Sequence, residues 1–223
     1  MTMKLFLEAI AKFIFGVALV GVLIFLPAGT VAYFNGWLLM GILFVPMFFA
    51  GIVMMCKNPD LLRSRLDAKE KQQEQSLVVK LSGLMFLAGF VVAGLGVRFY
   101  WYSLPKGVSI GAAMVFLIAY ILYAEVLREN TYLSRTIKVQ ENQKVISTGL
   151  YGVVRHPMYS VTLLLFLSMP IVLGSLYSFL IFLAYPFIIA KRIQYEEAFL
   201  EKELAGYGAY KQKVKYRLIP FVW

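Results

Sequence analysis

Four uninterrupted apolar stretches, running roughly from Phe13 to Ala32, Gly36 to Cys56, Leu77 to Val97 and Val108 to Leu127, constrain this chain more than any other feature of it. Each is about 20 residues long, the length a helix needs to cross a hydrocarbon core of roughly 30 Å. Lys80, near the start of the third, is the one charge that precedes their last turns. In a bilayer the backbone must satisfy its own hydrogen bonds, so such stretches fold as helices. The expected fold is therefore all-α, a polytopic transmembrane bundle. Composition agrees: 61% hydrophobic and 15% charged residues exclude a disordered chain, and one cysteine excludes a disulfide scaffold.

The charges orient the bundle. Of the 22 basic residues, 20 lie before the first stretch, around the segment between the second and third, after the fourth, or in the tail. Only Arg98 and Lys106 fall in the other loops. The positive-inside rule then predicts cytoplasmic amino and carboxyl termini in a multi-pass protein, and it accounts for the net charge of +10 without nucleic acid. A fifth apolar stretch, Tyr159 to Ala190, lies between cytoplasmic Arg155 and Lys191 and so must cross an even number of times. It is expected as a helical hairpin turning at Gly174-Ser175, with arms of about 15 residues, roughly 22 Å each and partly re-entrant. Two regions result: 1–127, a four-span bundle, and 128–223, a cytosol-facing region with the 159–190 hairpin and a carboxyl-terminal helix and tail. The first stretch reads as a retained anchor rather than a signal peptide, because further spans follow. Cys56 reads as a small apolar residue at a helix end, and no prenylation box is present at Pro220-Phe-Val-Trp223.

With one histidine and one cysteine about a hundred residues apart, no zinc site, bis-histidine haem or Cys-His nucleophile is expected, and the metal prediction is none. No Walker loop or strand-borne GxGxxG is present. The spans hold too few ionisable groups for an ion pathway. Polar chemistry is concentrated between Glu125 and Trp223.

Three constellations lie there. In Gly149-Leu-Tyr151-Gly-Val-Val-Arg155-His156-Pro157-Met-Tyr159, the glycines favour a tight loop and Pro157 favours the first position of a helix capped at His156. Such a terminus, flanked by Arg155 and His156, suits an anion; a turn whose arginine meets lipid phosphate is an equal alternative. In Lys191 to Leu204, Ile193, Glu197, Leu200 and Leu204 follow i, i+4, i+7, i+11 spacing, so Glu197 is aimed inward and needs a cationic partner from the protein or a ligand. Glu196, one turn beyond Arg192, is expected in an exposed ion pair. In Gly206 to Phe221, aromatics alternate with bases, which an interfacial tail explains.

Taken together, Arg-His-Pro-x-Tyr, the hairpin, Arg-Ile-x-x-Glu-Glu-x-x-Leu, Gly-x-x-Tyr-x-x-Tyr and Leu-Ile-Pro-Phe over about 138–223 resemble the isoprenylcysteine carboxyl methyltransferase family. Phospholipid N-methyltransferases share the His-Pro-x-Tyr and Glu-Glu parts, and sterol reductases the Arg-His-Pro-x-Tyr. The sequence departs from many of these relatives at Val161, where they carry glycine.

The resemblance implies an integral membrane methyltransferase that uses S-adenosylmethionine, bound at the cytosolic face. Its methionyl carboxylate would meet His156 and Pro157, and its ammonium or sulfonium would meet Glu197 with Glu196 nearby. Tyr151, Tyr159, Tyr207 and Tyr210 would complete the cofactor site. The catalytic candidates are Arg192, Arg155 and Glu196, with either arginine orienting a substrate carboxylate. The partners implied are membrane lipids and a lipidic or isoprenoid-linked substrate entering from the bilayer, with no nucleic acid; the oligomeric state is left open. The other functional readings are a phospholipid amine N-methyltransferase, in which a glutamate or His156 acts as base, an NADPH-dependent reductase of related architecture, and a non-catalytic scaffold or carrier.

Overall fold

The computed structural model describes residues 3–66, 73–133 and 139–223. Lys69, Lys71, Arg135 and Lys138, four of the basic residues used for orientation, lie outside the described residues. The described chain is all-α, with α1 Met3–Ala28, α2 Phe34–Lys57, α3 Pro59–Leu66, α4 Gln73–Arg98, α5 Lys106–Glu129, α6 Pro157–Val172, α7 Leu176–Phe182, α8 Tyr185–Glu203 and α9 Tyr207–Lys213. Helices α2, α4 and α5 contain three of the expected spans, and α1 carries the first as far as Ala28, short of the expected Ala32; all four are long and apolar enough to cross a bilayer.

Helix α1 starts ten residues before the apolar stretch does. Its first turns pack Leu5 against Met55 and Leu62. Lys12 meanwhile pairs with Glu8 at 2.7 Å and donates to the Leu66 carbonyl at 2.7 Å. Helix α3 was not anticipated. Asn58 starts it by accepting the Leu61 N–H at 3.1 Å, so the chain turns from α2 directly into a short helix that buries Leu61 and Leu62.

The hairpin turns where expected. Gly174 has φ +73°, and a Cβ there would lie 2.7 Å from Asn35 Nδ2, so only glycine fits the crowded turn. Ser175 then caps α7 by accepting the Ser178 N–H, and the Gly174 carbonyl accepts the Leu104 N–H at 2.9 Å. The arms, however, are unequal. The first, α6, has 16 residues. The second continues from α7 through a turn at Leu183-Ala184 into α8 and ends at Glu203, giving a 28-residue stretch long enough to span. Two short arms are therefore corrected to one short and one long, because the change from apolar to polar composition at Ala190 does not interrupt the helix. Pro186 does not break it either, since it sits in the first turn of α8.

Small residues set how closely the helices approach. A Cβ on Gly89 would meet Phe182 at 2.3 Å, so its absence seats α7 on α4; Ser178 Oγ also donates to the Gly89 carbonyl at 2.8 Å. Gly94 similarly admits the Ile24 carbonyl of α1. The resulting core centres on Ile24, Leu39, Phe116 and Phe182, all fully buried. Large apolar side chains such as Phe15, Phe49, Ile121 and Phe187 face outward, as a lipid solvent requires.

The loops gather at two ends. Tyr33, Ser103 and Leu173–Ser175 meet at one end, where the Tyr33 hydroxyl donates to the Leu173 carbonyl at 2.5 Å. The start of α1, α3, the segment after α5, the start of α6, the end of α8 and the tail lie at the other, which carries the site.

Candidate functional site

The site is built where α6 begins and α8 ends. A 3-10 turn at Gly149–Gly152 brings the chain round, with Gly149 at φ +53°. His156 then caps α6, with Pro157 at its first position, as the sequence implied. The backbone here is not open to solvent. The Arg155 and His156 N–H groups donate to the Tyr216 and Arg217 carbonyls, both at 2.9 Å, and the Tyr159 and Ser160 N–H groups turn back to the His156 carbonyl. Ser160 Oγ donates to the Leu218 carbonyl at 2.6 Å. The tail expected at the membrane surface is therefore docked across the start of α6. It is folded on itself there, the Trp223 carbonyl oxygen accepting the Arg217, Leu218 and Ile219 N–H groups.

Glu197 is buried, as its position on the apolar stripe required, and its partners are two arginines and the histidine. Oε1 accepts from Arg155 Nε at 2.7 Å and lies 3.2 Å from His156 Nε2, while Oε2 accepts from Arg217 Nε at 3.0 Å. Arg155 also donates through Nη1 to the Val214 and Lys215 carbonyls at 2.7 and 2.8 Å. One carboxylate thus joins α6, α8 and the tail.

Arg192 and Glu196 differ from the exposed pair expected of them. Arg192 is buried and Glu196 half-buried. The Tyr159 hydroxyl lies between them, accepting from Arg192 Nε at 2.9 Å and donating to Glu196 Oε2 at 2.5 Å. The difference arises because this part of α8 continues the membrane arm and faces α6 instead of leaving the bundle as a separate surface helix.

These groups surround a pocket of about 820 Å³, including its open mouth. Arg155, His156, Tyr159, Arg192, Glu196, Tyr151, Tyr207 and Tyr210 all line it, whereas Pro157 and Glu197 stand behind the wall. Tyr210 OH donates to the Tyr151 carbonyl at 2.7 Å, and Asn130 Nδ2 donates to Tyr151 OH at 3.1 Å. Tyr207 is buried, yet among the described residues its hydroxyl has no hydrogen-bond partner. Burial pushes the Tyr207, Tyr210 and Tyr151 hydroxyls above the ordinary tyrosine value of 10.0, and the negative charges of Glu197 and Glu196 add to this at Tyr207. Val161 is buried in the core and is not part of the pocket lining.

Sequence reasoning missed two contributions. Arg217 lay in a motif that reads as interfacial, and its pairing with Glu197 becomes visible only once the tail is docked. The segment from Asn130 to Ile146 supplies one wall through Asn130, Leu133, Gln143 and Lys144; its one sequence signal is that Asn130 follows directly on the fourth span.

The polar pocket lies at one end of a bundle of apolar helices, walled by the Arg-His-Pro-x-Tyr turn and the Glu-Glu helix. Residues 107–206 match the family model described as phospholipid methyltransferase, a family related to the isoprenylcysteine carboxyl methyltransferases. The match covers a little under half of the chain and runs from the start of α5 to just before Tyr207. Among curated proteins, none matches the chain.

Proposed function

We propose that this protein is an S-adenosylmethionine-dependent methyltransferase acting on a lipidic or isoprenoid-linked substrate, at a carboxylate, with the cofactor held in the pocket between α6, α8 and α9 at the cytosolic face. The observation that carries the reading is the donor set of that pocket. Glu196 offers an anionic wall for an ammonium or sulfonium, and Arg155, with the His156 ring beside it, offers a cationic wall for a carboxylate. The orphaned Tyr207 hydroxyl is a donor that a nucleoside hydroxyl or ring nitrogen would satisfy. Bound there, S-adenosylmethionine supplies an electrophilic methyl carbon that a nucleophile takes while the neutral thioether departs.

The protein's own groups supply position and charge. Glu197 fixes Arg155 and His156 from behind, so it acts as a positioning residue in this reading. Tyr159 links Arg192 to Glu196, setting the direction of both. An acceptor carboxylate is ionised at neutral pH and needs no general base, so orientation by Arg192 and exclusion of water carry most of the barrier reduction. The name of the matched family favours a second reading, a phospholipid amine, whose ammonium must first lose a proton; Glu196 is the base placed to accept it.

The test is calorimetry of the detergent-purified protein with S-adenosylmethionine, S-adenosylhomocysteine and NADPH. Binding of both sulfur nucleosides and not NADPH is expected. If neither sulfur nucleoside binds, the reading fails.

A further inference from the structure

Helix α3 carries two arginines whose surroundings differ. Arg63 points outward, its side chain 64% exposed, with Asp60 at 3.6 Å. Such a surface charge at a membrane boundary is what the positive-inside rule alone produces. Arg65, two residues on, is half-buried and turned toward the bundle. Its Nη2 donates to the Tyr123 hydroxyl of α5, its Nη1 lies 3.9 Å from the Met158 sulfur of α6, and its guanidinium sits 5.7 Å from the centre of the Tyr123 ring.

Among the described residues no carboxylate pairs with Arg65. A guanidinium has five N–H donors, and this one meets a single phenol oxygen and a weakly accepting thioether. Turning a charge inward without an anion is costly. The surroundings of Arg65 are also built in place. Ser64 Oγ donates to the Leu133 carbonyl at 3.3 Å, and Lys12 holds the Leu66 carbonyl. Leu133 and Met158 both line the pocket, so Arg65 stands directly behind its wall on the side of α3 and α5.

We propose that Arg65, with the Tyr123 hydroxyl beside it, binds the oxyanion of the acceptor lipid, a phosphate or carboxylate carried on an apolar chain. This rests on the reading of the pocket as the methyl-transfer site. It adds a headgroup subsite whose arginine lies outside the matched family segment while its tyrosine lies within it. The lipid, rather than a soluble anion, is the fitting source because α3 joins two membrane spans and Arg65 lies between it and the spanning helix α5. Tyr123 is then a dual partner, its hydroxyl donating to the oxyanion and its ring facing the guanidinium.

The experiment uses detergent-purified full-length protein and four probes: dihexanoyl phosphatidic acid, decanoate, dihexanoylglycerol and inorganic phosphate. Calorimetry is run on wild type, Arg65→Gln and Arg63→Gln, with S-adenosylhomocysteine binding measured on each as a check that the pocket is intact. One of the two anionic amphiphiles should bind wild type about tenfold more tightly than Arg65→Gln, the loss expected for one charge-assisted contact. Arg63→Gln should match wild type, and dihexanoylglycerol and inorganic phosphate should show no dependence on Arg65. Whichever anion is tighter names the headgroup class. Equal affinities in wild type and Arg65→Gln, an equal loss in Arg63→Gln, or Arg65-dependent binding of free phosphate as tight as the lipid's would each overturn the proposal. Failure of S-adenosylhomocysteine to bind any form would instead defeat the methyl-transfer reading, leaving an Arg65-dependent lipid response to stand on its own.

Discussion

Replacing Glu197 tests whether one buried carboxylate holds the site together. Its side chain is 3% exposed and that of Arg155 is 5%, so removing the carboxylate strands a cation with almost no access to water. Breaking a buried pair from one side costs about 3 to 5 kcal/mol. Two features of this site put the alanine variant at the low end, near ~3 kcal/mol. Arg155 keeps its bonds to the Val214 and Lys215 carbonyls, and Arg217, whose side chain is 29% exposed, turns to solvent. Glu197→Gln retains one carbonyl oxygen but sets an amide N–H against another donor, for a loss of about 2 kcal/mol. Glu201 is the control, because it lies in the same helix, pairs with Lys211 at 2.6 Å and is 41% exposed. Its removal should cost about 0.2 to 1 kcal/mol. Thermal unfolding of the detergent-purified variants, paired with S-adenosylhomocysteine calorimetry, should show Glu197→Gln lowering both stability and cofactor affinity well beyond Glu201→Gln. Equal effects of the two substitutions would refute the reasoning.

Tyr207→Phe removes a buried hydroxyl that has no partner among the described residues, so stability should hold or rise slightly while S-adenosylhomocysteine affinity falls by about 0.5 to 1.5 kcal/mol; a fall in stability with unchanged affinity would show that the hydroxyl serves the fold. The upward shifts at Tyr207, Tyr210 and Tyr151 mean that above pH 10 the unfolded chain loses phenolic protons the folded one keeps, so stability should be flat just below pH 10 and fall above it. Thermal unfolding across that range, with tyrosinate absorbance as a second readout, checks the sign. Gly94→Ala places a Cβ 2.5 Å from the Ile24 carbonyl oxygen, a backbone atom that cannot swing aside, and should destabilise the α1–α4 contact; Gly83→Ala, with nothing within 4 Å, should be nearly neutral in the same thermal assay.

The spans were legible because a bilayer demands one composition over one length, and the Gly174 turn because charge on both sides of the last apolar stretch requires an even number of crossings. Helix α3 was not, since Pro59–Leu66 is too short and too polar for either signal. The end of the second hairpin arm was misplaced at Ala190 because hydropathy marks where the solvent changes, and the α8 backbone passes through that boundary unbroken. The inward aim of Glu197 followed from its spacing with Ile193 and Leu204, both buried. Its partners could not follow from spacing: Arg155 is 42 positions away and Arg217 is 20 positions away, joined to it only by tertiary docking. Burial of Arg192 and Glu196 escaped notice for the same reason, since an i, i+4 pair looks alike on an exposed helix and on one packed against α6.

The docking of Tyr216 and Arg217 onto Arg155 and His156 also makes the support of the pocket's wall depend on the last residues of the chain. The two strips of backbone that pair there are separated by the whole hairpin and by α9. A ribosome that has released α1 to α8 into the membrane has therefore delivered the histidine, the arginines and both glutamates without the carbonyls and the cation that hold them in place. Until residues 214–218 dock, Arg155 and His156 lack the carbonyls that hold them, and Glu197 lacks Arg217.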